Sequence, residues 1–164
     1  MGYLIRPIET SDYVPIIQVV DAWWDNRPMA SMLPRLFFLH FQKSSFLIED
    51  NGERIGFLIG FRSQTYPNQA YIHFVGVDPR YRGHGIGRLL YLRFFTLMRE
   101  WGCSEVHSVT SPQNTGSIAF HQRMGFLIEP GDAERNGLPV TTNYDGRGGA
   151  RVLFRKVLNS KENF

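Results

Sequence analysis

Hydrophobic positions along the chain alternate between two periods, and the longest regular stretch is helical. Ile86, Leu89, Leu90, Phe94, Leu97, Met98 and Trp101 recur every three or four residues, which predicts an amphipathic helix with Arg88 and Arg99 outward. Gly102 supplies its stop. Upstream, Tyr3 to Ile8 reads as a short strand, and Thr10, Ser11 and Asp12 offer caps for a helix running to about Trp24. Asp25-Asn26-Arg27-Pro28 breaks that helix. A second one spans Leu33 to Phe41, with Pro34 in its first turn. Phe46 to Glu49 and Glu53 to Arg62 are strands flanking Asp50-Asn51-Gly52, where an Asn-Gly pair signals a hairpin. A turn at Tyr66-Pro67-Asn68-Gln69 returns the chain into a strand from Ala70 to Val77, completing an antiparallel meander.

After the long helix, Glu105 to Thr110 is a strand, so the unit 70–110 is a strand-helix-strand crossover, parallel and right-handed, with a ligand expected at the strands' carboxyl ends. Asn114 caps a fourth helix, Ser117 stands at its third position, and Gly125 is its left-handed stop. Phe126 to Glu129 and Arg151 to Leu158 are the last strands. Between them, Pro130 to Ala150 carries five glycines besides Pro139, which predicts a mobile loop. The sum is an α/β fold, an α+β mixed sheet of about seven strands with four helices. At 164 residues with 43% hydrophobic positions, the chain is long enough to bury one core, and 1–164 reads as a single domain.

The segment Asp78-Pro79-Arg80-Tyr81-Arg82-Gly83-His84-Gly85-Ile86-Gly87 joins the meander to the long helix. Its glycines allow a tight turn that exposes successive N–H groups, and the helix N-terminus together with Arg82 and Arg88 adds positive charge. That combination suits a pyrophosphate. Arg88 stands where a dinucleotide fingerprint needs glycine, and no Gly-Lys-Ser/Thr of a P-loop is present. The net charge of +3 raises the question of nucleic acid, but Arg80, Arg82, Arg88, Arg93 and Arg99 crowd the cradle segment and no lysine-rich tract occurs elsewhere. The surplus is local and disfavours nucleic acid, leaving an RNA-associated protein as a rival reading. The N-terminus lacks signal-peptide order and no apolar run reaches membrane length, which predicts a cytoplasmic protein without a membrane partner. The single cysteine, Cys103, excludes an internal disulfide and reads as a helix-end core residue. His40, His84 and His107 show no ligand spacing with one another or with Cys103, so no metal site is expected.

Arg82-Gly83-His84-Gly85-Ile86-Gly87 resembles the Arg/Gln-x-x-Gly-x-Gly signature with which the GNAT N-acetyltransferase superfamily holds the pyrophosphate of acetyl-CoA. Phe74 to Pro79 is similar to that family's fourth strand. Asn114, Ser117, Ala119, Phe120, Gly125 and Phe126 match its second motif, with one departure: His121 stands where tyrosine is usual. The resemblance covers about residues 3 to 158, with specific motifs only between 72 and 126. It implies a GNAT-like fold, acetyl-CoA as co-substrate, and a cofactor set of Val75, Val77, Arg82, Gly83, His84, Gly85, Ile86, Gly87, Arg88, Asn114, Ser117 and Phe120. It implies further that the fourth and fifth strands splay apart, so that pantetheine pairs with backbone near Val75 and Val77. Those N–H groups would stabilise the developing oxyanion, a role in which one donor is worth roughly 3 kcal/mol. Gly76 between them marks either a bulge or close backbone approach, or a small packing residue.

Amine acetylation poses two proton problems. A lysine-like amine of pKa about 10.4 is only about one part in two thousand neutral at pH 7, a deprotonation of about 4.6 kcal/mol. Strand alternation places Tyr71 and His73 on one face with Val75 and Val77, so either is a candidate general base. A packed, hydrogen-bonded strand histidine is the competing reading of His73, and Glu9 is a weaker rival base. The leaving thiolate also needs a proton. An ordinary imidazole is about a quarter protonated at pH 7, which makes His121 the expected donor in place of the family's tyrosine. For the acceptor, Trp23, Trp24, Asp25, Asn26 and Arg27 lie at a helix junction, and Tyr144 and Asp145 lie with Asp132 and Glu134 in the glycine-rich loop. Aromatics with carboxylates suit a cationic small-molecule amine; a packed helix corner and a solvated loop is the bland alternative. The expected activity is therefore acetyl transfer to a primary amine within a ternary complex, with an acyl-CoA-binding sensor as the non-catalytic alternative. A homodimer is compatible with the sequence.

Overall fold

In the computed structural model, residues 2–159 are described; residue 1 and residues 160–164, the ends of the expected domain, lie outside the described residues. Strand β1 (Tyr3–Pro7) leads into helix α1 (Tyr13–Trp23) and then α2 (Leu36–His40). The meander is β2 (Phe46–Asp50), β3 (Glu53–Arg62) and β4 (Gln69–Val77). Helix α3 (Ile86–Glu100), strand β5 (Glu105–Thr110) and helix α4 (Thr115–Arg123) follow. The chain ends with β6 (Leu127–Ile128), β7 (Ala133–Arg135), β8 (Leu138–Val140) and β9 (Val152–Val157). One seven-stranded sheet has the order β1-β2-β3-β4-β5-β9-β6, and β4 with β5 is its parallel pair.

Two apolar clusters cover the sheet's faces. On one, Leu90, Phe94, Phe95 and Met98 of α3 pack with Ile48, Leu58, Val106 and Phe154, all fully buried. On the other, Ile16 and Val20 of α1 and Phe38 of α2 pack on Leu47, Phe57 and Ile59. At about 1.5–3 kcal/mol for each fully buried large side chain, this two-sided burial fixes the sheet on which the site is built.

Three local expectations change. A 3-10 turn, Thr10–Asp12, precedes α1 and is capped by Glu9 and Asp12: Asp12 accepts from the Glu9 N–H at 2.8 Å, while Arg6 and Arg54 clamp the same carboxylate. Burial alone would raise the Asp12 pKa, but those hydrogen bonds outweigh it and hold the group ionised. The helix expected over 33–41 is only α2, preceded by a 3-10 turn at Ala30–Met32. Proline at 34 drives the preceding residue out of helical geometry, and Leu33 has φ −129° and ψ 63°. The segment 130–150, expected as a mobile loop, contains a β7-β8 hairpin tied back by a bridge between Thr141 and Arg151. Asn136 (φ 54°) and Gly137 (φ 76°) form its turn, the same Asn-Gly pair that turns the hairpin at 51–52.

Candidate active site

The parallel ladder between β4 and β5 is short. It runs through Gln69–Glu105, Ala70–Val106 and Tyr71–His107, and then the strands part. The Ser108 hydroxyl donates to the Ile72 carbonyl at 3.0 Å where the gap opens. A bulge sets what faces that gap. Ile59 pairs with Phe74 and Gly60 with Ile72, so His73 is the extra residue on β4.

The bulge corrects the expectation that Tyr71, His73, Val75 and Val77 share one face. Val75 and Val77 pack with the α3 cluster, whereas Tyr71 stacks on Phe61 and His73 stacks on Phe37 of α2 at 4.4 Å. One inserted residue flips the side-chain parity. All four still meet, because the gap between the strands is open to both faces and each lines one cavity of about 800 Å³. Beyond the bulge, the Asp78 N–H donates to the Ile55 carbonyl on β3. Alternation along the strand therefore turns the Val75 and Val77 N–H groups the other way, into the gap. Gly76 resolves as a packing position: a Cβ there would stand 2.5 Å from Cε1 of Phe57.

At one end of the cavity lies the cradle. Gly83 (φ 80°) and Gly85 (φ 76°) take left-handed backbone, the geometry that lets the chain reverse into α3 with its first amides outward. The N–H groups of Gly83, Gly85, Ile86, Gly87 and Arg88 have no acceptor among the described residues, and those residues line the cavity. His84 departs from the expectation: its N–H is taken by the Tyr81 carbonyl at 3.1 Å, its ring meets Tyr81 edge-on, and it does not line the cavity. Arg82 lines the rim, donating to the Trp23 carbonyl at 3.3 Å and standing 3.7 Å from Asp25. Asn114 accepts from the Ser117 N–H at 3.1 Å, capping α4, and with Ser117 and Phe120 forms the wall opposite β4.

The two histidines differ sharply. His121 is 5% exposed and stacks on Phe154 at 4.4 Å. A carbonyl can only accept, so Nδ1–H donates to Ser117 O at 2.8 Å and Nε2 accepts from the Tyr91 hydroxyl, also at 2.8 Å. Burial pushes its pKa down to about 4, against a smaller upward pull from the Ser117 bond. The ring is thus neutral at pH 7, its one proton is committed, and the premise of a quarter-charged donor fails. Burial likewise lowers the pKa of His73, opposed by the Met32 carbonyl and Asp145. Here Nε2–H donates to Met32 O at 2.6 Å, which leaves Nδ1 as a lone pair. Tyr71 is driven strongly upward, first by burial and then by Tyr144 and Asp145, and remains a phenol.

Of the expected acceptor residues, Trp24, Arg27 and Asp145 line the cavity. Trp23 does not. It stacks on Phe57 and faces a separate shallow cleft. Asp25 and Tyr144 are not in the lining either; Asp25 stands at the rim beside Arg82, and Tyr144 is largely exposed. Cys103 lies outside the cavity, its thiol pushed up by burial. Residues not anticipated include Tyr91, which reads in the sequence as one more buried position of a helix, and Arg151, which reads as a strand start. Arg151 pairs ionically with Asp145, Nε standing 2.9 Å from the carboxylate. Among the described residues no group of three or more His, Cys, Asp or Glu could hold a metal ion, and no helix is long and apolar enough to cross a membrane.

Residues 8–126 match the model of the acetyltransferase (GNAT) family. The chain belongs to that family. An L-2,4-diaminobutyric acid acetyltransferase of Vibrio parahaemolyticus is 36% identical over 119 residues, covering 71% of this chain and 64% of that protein. A mycothiol acetyltransferase of Thermobispora bispora is 33% identical over 82 residues, covering 45% of this chain and 28% of that protein. The chain thus spans less than two thirds of the length of these curated relatives. Among solved structures, the PaiA N-acetyltransferase of Thermoplasma acidophilum in complex with coenzyme A matches with a TM-score of 0.75 at 19% identity, over 96% of this chain and 99% of that one. A GNAT-family protein of Desulfovibrio desulfuricans matches with a TM-score of 0.79 at 14% identity, over 96% and 100%. These likenesses establish the GNAT fold.

Proposed function

We propose that this GNAT domain transfers the acetyl group of acetyl-CoA to a small primary amine by direct attack within a ternary complex. One observation carries the reading: a single cavity is lined by the free amides at the start of α3, by the edge of β4 and by His73. The residues present fit acetyl-CoA. Gly83, Gly85, Ile86, Gly87 and Arg88 offer backbone donors for a pyrophosphate, with Arg82 and Arg88 as counter-charges, and the β4 edge offers donors for an extended amide arm. Bound there, acetyl-CoA supplies an activated thioester.

The chain's own groups then divide the work. The Val75 and Val77 N–H groups, about 6.6 Å apart on an extended strand, serve two acceptors: one donates to the acyl oxygen, favouring the charge that develops as the carbonyl carbon becomes tetrahedral, and the other donates to the pantetheine arm. His73 Nδ1 takes a proton from the incoming ammonium; Met32 fixes its tautomer, and its lowered pKa keeps it neutral near pH 7. Tyr71 and Trp24 wall the acceptor end. His121 holds the Tyr91 hydroxyl and so shapes the wall between α3 and α4; the departing thiolate takes its proton from water. With Cys103 outside the cavity, no thiol stands in the lining to form a cysteine acyl-enzyme, which supports direct transfer. The Vibrio and Thermobispora relatives, a diaminobutyric acid and a mycothiol acetyltransferase, support a small-molecule acceptor.

The test is thiol release from acetyl-CoA by purified protein against a panel of amino acids, polyamines, aminoglycosides and peptides. Amine-dependent release, with initial-rate lines that intersect rather than run parallel, is expected. Parallel lines, or a wide preference for a peptide, would overturn the respective parts of the proposal.

A further inference from the structure

The acceptor end of the cavity carries more positive than negative charge, which a simple ammonium acceptor does not explain. Its charged lining residues are Arg27, Asp145 and Arg151. His73 is neutral by burial and Tyr71 is a phenol, so neither offsets the guanidiniums. Asp145 is already paired with Arg151 Nε at 2.9 Å, and Arg151 Nη1 donates to the Ala150 carbonyl at 2.9 Å. The ion pair and the hydrogen bond hold the Arg151 side chain in place, and Nη2 has no hydrogen-bond partner among the described residues. The Arg27 guanidinium makes no hydrogen bond or ion pair with any described residue.

The position of Arg27 is built rather than incidental. Asp25 and Asn26 take left-handed backbone (φ 56° and 60°) to reverse the chain after α1. Asp21 Oδ1 then accepts from the N–H groups of Met29 and Ala30 at 2.8 and 2.9 Å, drawing the segment back across the end of α1. The same segment supplies the Met32 carbonyl that fixes His73. Arg27 is therefore carried on the loop that also sets the orientation of the base. A guanidinium presents five donors in a planar fork that matches an oxyanion with two equivalent oxygens.

We infer that the acceptor carries a carboxylate as well as its reacting amine, and that Arg27 and Arg151 bind that carboxylate while Asp145 receives a second ammonium where one is present. The class is amino acids with a free amine, diamino acids foremost. This rests on the acetyl-transfer reading for what happens to the amine, but not for what the cavity binds.

The experiment compares matched pairs that differ only by the carboxylate: 2,4-diaminobutyrate with 1,3-diaminopropane, ornithine with putrescine, and alanine with ethylamine. O-phosphoethanolamine and ethanolamine test phosphate as the anion. Two readouts are taken, kcat/KM from thiol release with acetyl-CoA and calorimetric affinity for the protein loaded with CoA. The carboxylate-bearing member is expected to lead by at least tenfold in the best pair, and Arg27→Gln is expected to shrink that ratio by at least tenfold. A ratio near one in every pair overturns the inference, as does a preference for O-phosphoethanolamine over every amino acid. An unchanged ratio in Arg27→Gln, accompanied by weaker acetyl-CoA binding, assigns that side chain to the cofactor and overturns it too. Carboxylate-selective binding without thiol release from any amine supports the inference and sinks the acetyl-transfer reading, so the two failures are distinguishable.

Discussion

The two ends of the cavity are built by opposite means. At the cofactor end, the phosphate cradle comes from one continuous segment, Arg82 to Arg88, and its working groups are backbone amides. Glycine is there because the chain must enter left-handed space at Gly83 and Gly85, so the residue types betray the geometry. At the acceptor end the lining is drawn from Trp24 to Met32, from Tyr71 and His73, and from Asp145 and Arg151, three stretches far apart in the chain. The working groups are side chains whose chemistry depends on what surrounds them. A site of the first kind is written locally, and one of the second kind exists only after folding.

The cofactor end should therefore break most completely at a single position. Gly85→Asp puts a negative charge into a cradle open enough that a Cβ meets nothing within 4 Å, and acetyl-CoA affinity by calorimetry should fall at least a hundredfold. Gly85→Ala carries the left-handed backbone cost, about 1–2 kcal/mol, without the charge. It should bind more tightly than the aspartate variant. Equal affinities for the two would mean that phosphate is not held there.

At the acceptor end the largest loss should follow removal of the base. His73→Gln should lower kcat/KM for the amine by about a hundredfold, while the Kd for acetyl-CoA changes by less than about threefold. In the parent, burial lowers the His73 pKa, so the acidic limb of kcat/KM should fall below 6.5, the ordinary imidazole value, and be lost in the variant. A profile unchanged by the substitution would remove His73 from the chemistry.

Smaller, and of a different kind, is the effect expected at His121. Its pKa is pushed down to about 4 in the folded protein against about 6.5 unfolded, so the unfolded chain binds the extra proton and stability falls as pH drops from 6.5 to 4. The full shift corresponds to about 3 kcal/mol. His121→Phe should flatten that slope in chemical denaturation across pH 4 to 7, with only a modest change in kcat. A large kcat loss with an unaltered slope would restore the donor role.

Legibility in the sequence followed the same division. The helix from Ile86, its cap-to-stop successor from Asn114 to Gly125, and the meander were readable because periodicity and caps are local signals. The β4 bulge was not, since nothing in Tyr71-Ile72-His73-Phe74 marks an inserted residue, and it moved two candidate bases to the other face. The Asn136-Gly137 hairpin was readable but was masked by the glycine content around it. The neutrality of His121 depends on Phe154, Tyr91 and Ser117 closing around it, and pairing of distant residues leaves no pattern along the chain. The Met32 carbonyl that orients His73 has no side-chain signature at all.

The central claim is that one cavity brings a thioester and a neutral amine together over His73. It is tested most directly by following free CoA thiol and N-acetylated product in the same reaction, with the parent protein, His73→Gln and Gly85→Asp. Thiol and product should appear one for one in the parent, drop about a hundredfold in the histidine variant at saturating acetyl-CoA, and be absent in the glycine variant at micromolar acetyl-CoA. Thiol release that proceeds at the parent rate in both variants, or that yields no acetylated amine, would contradict the claim.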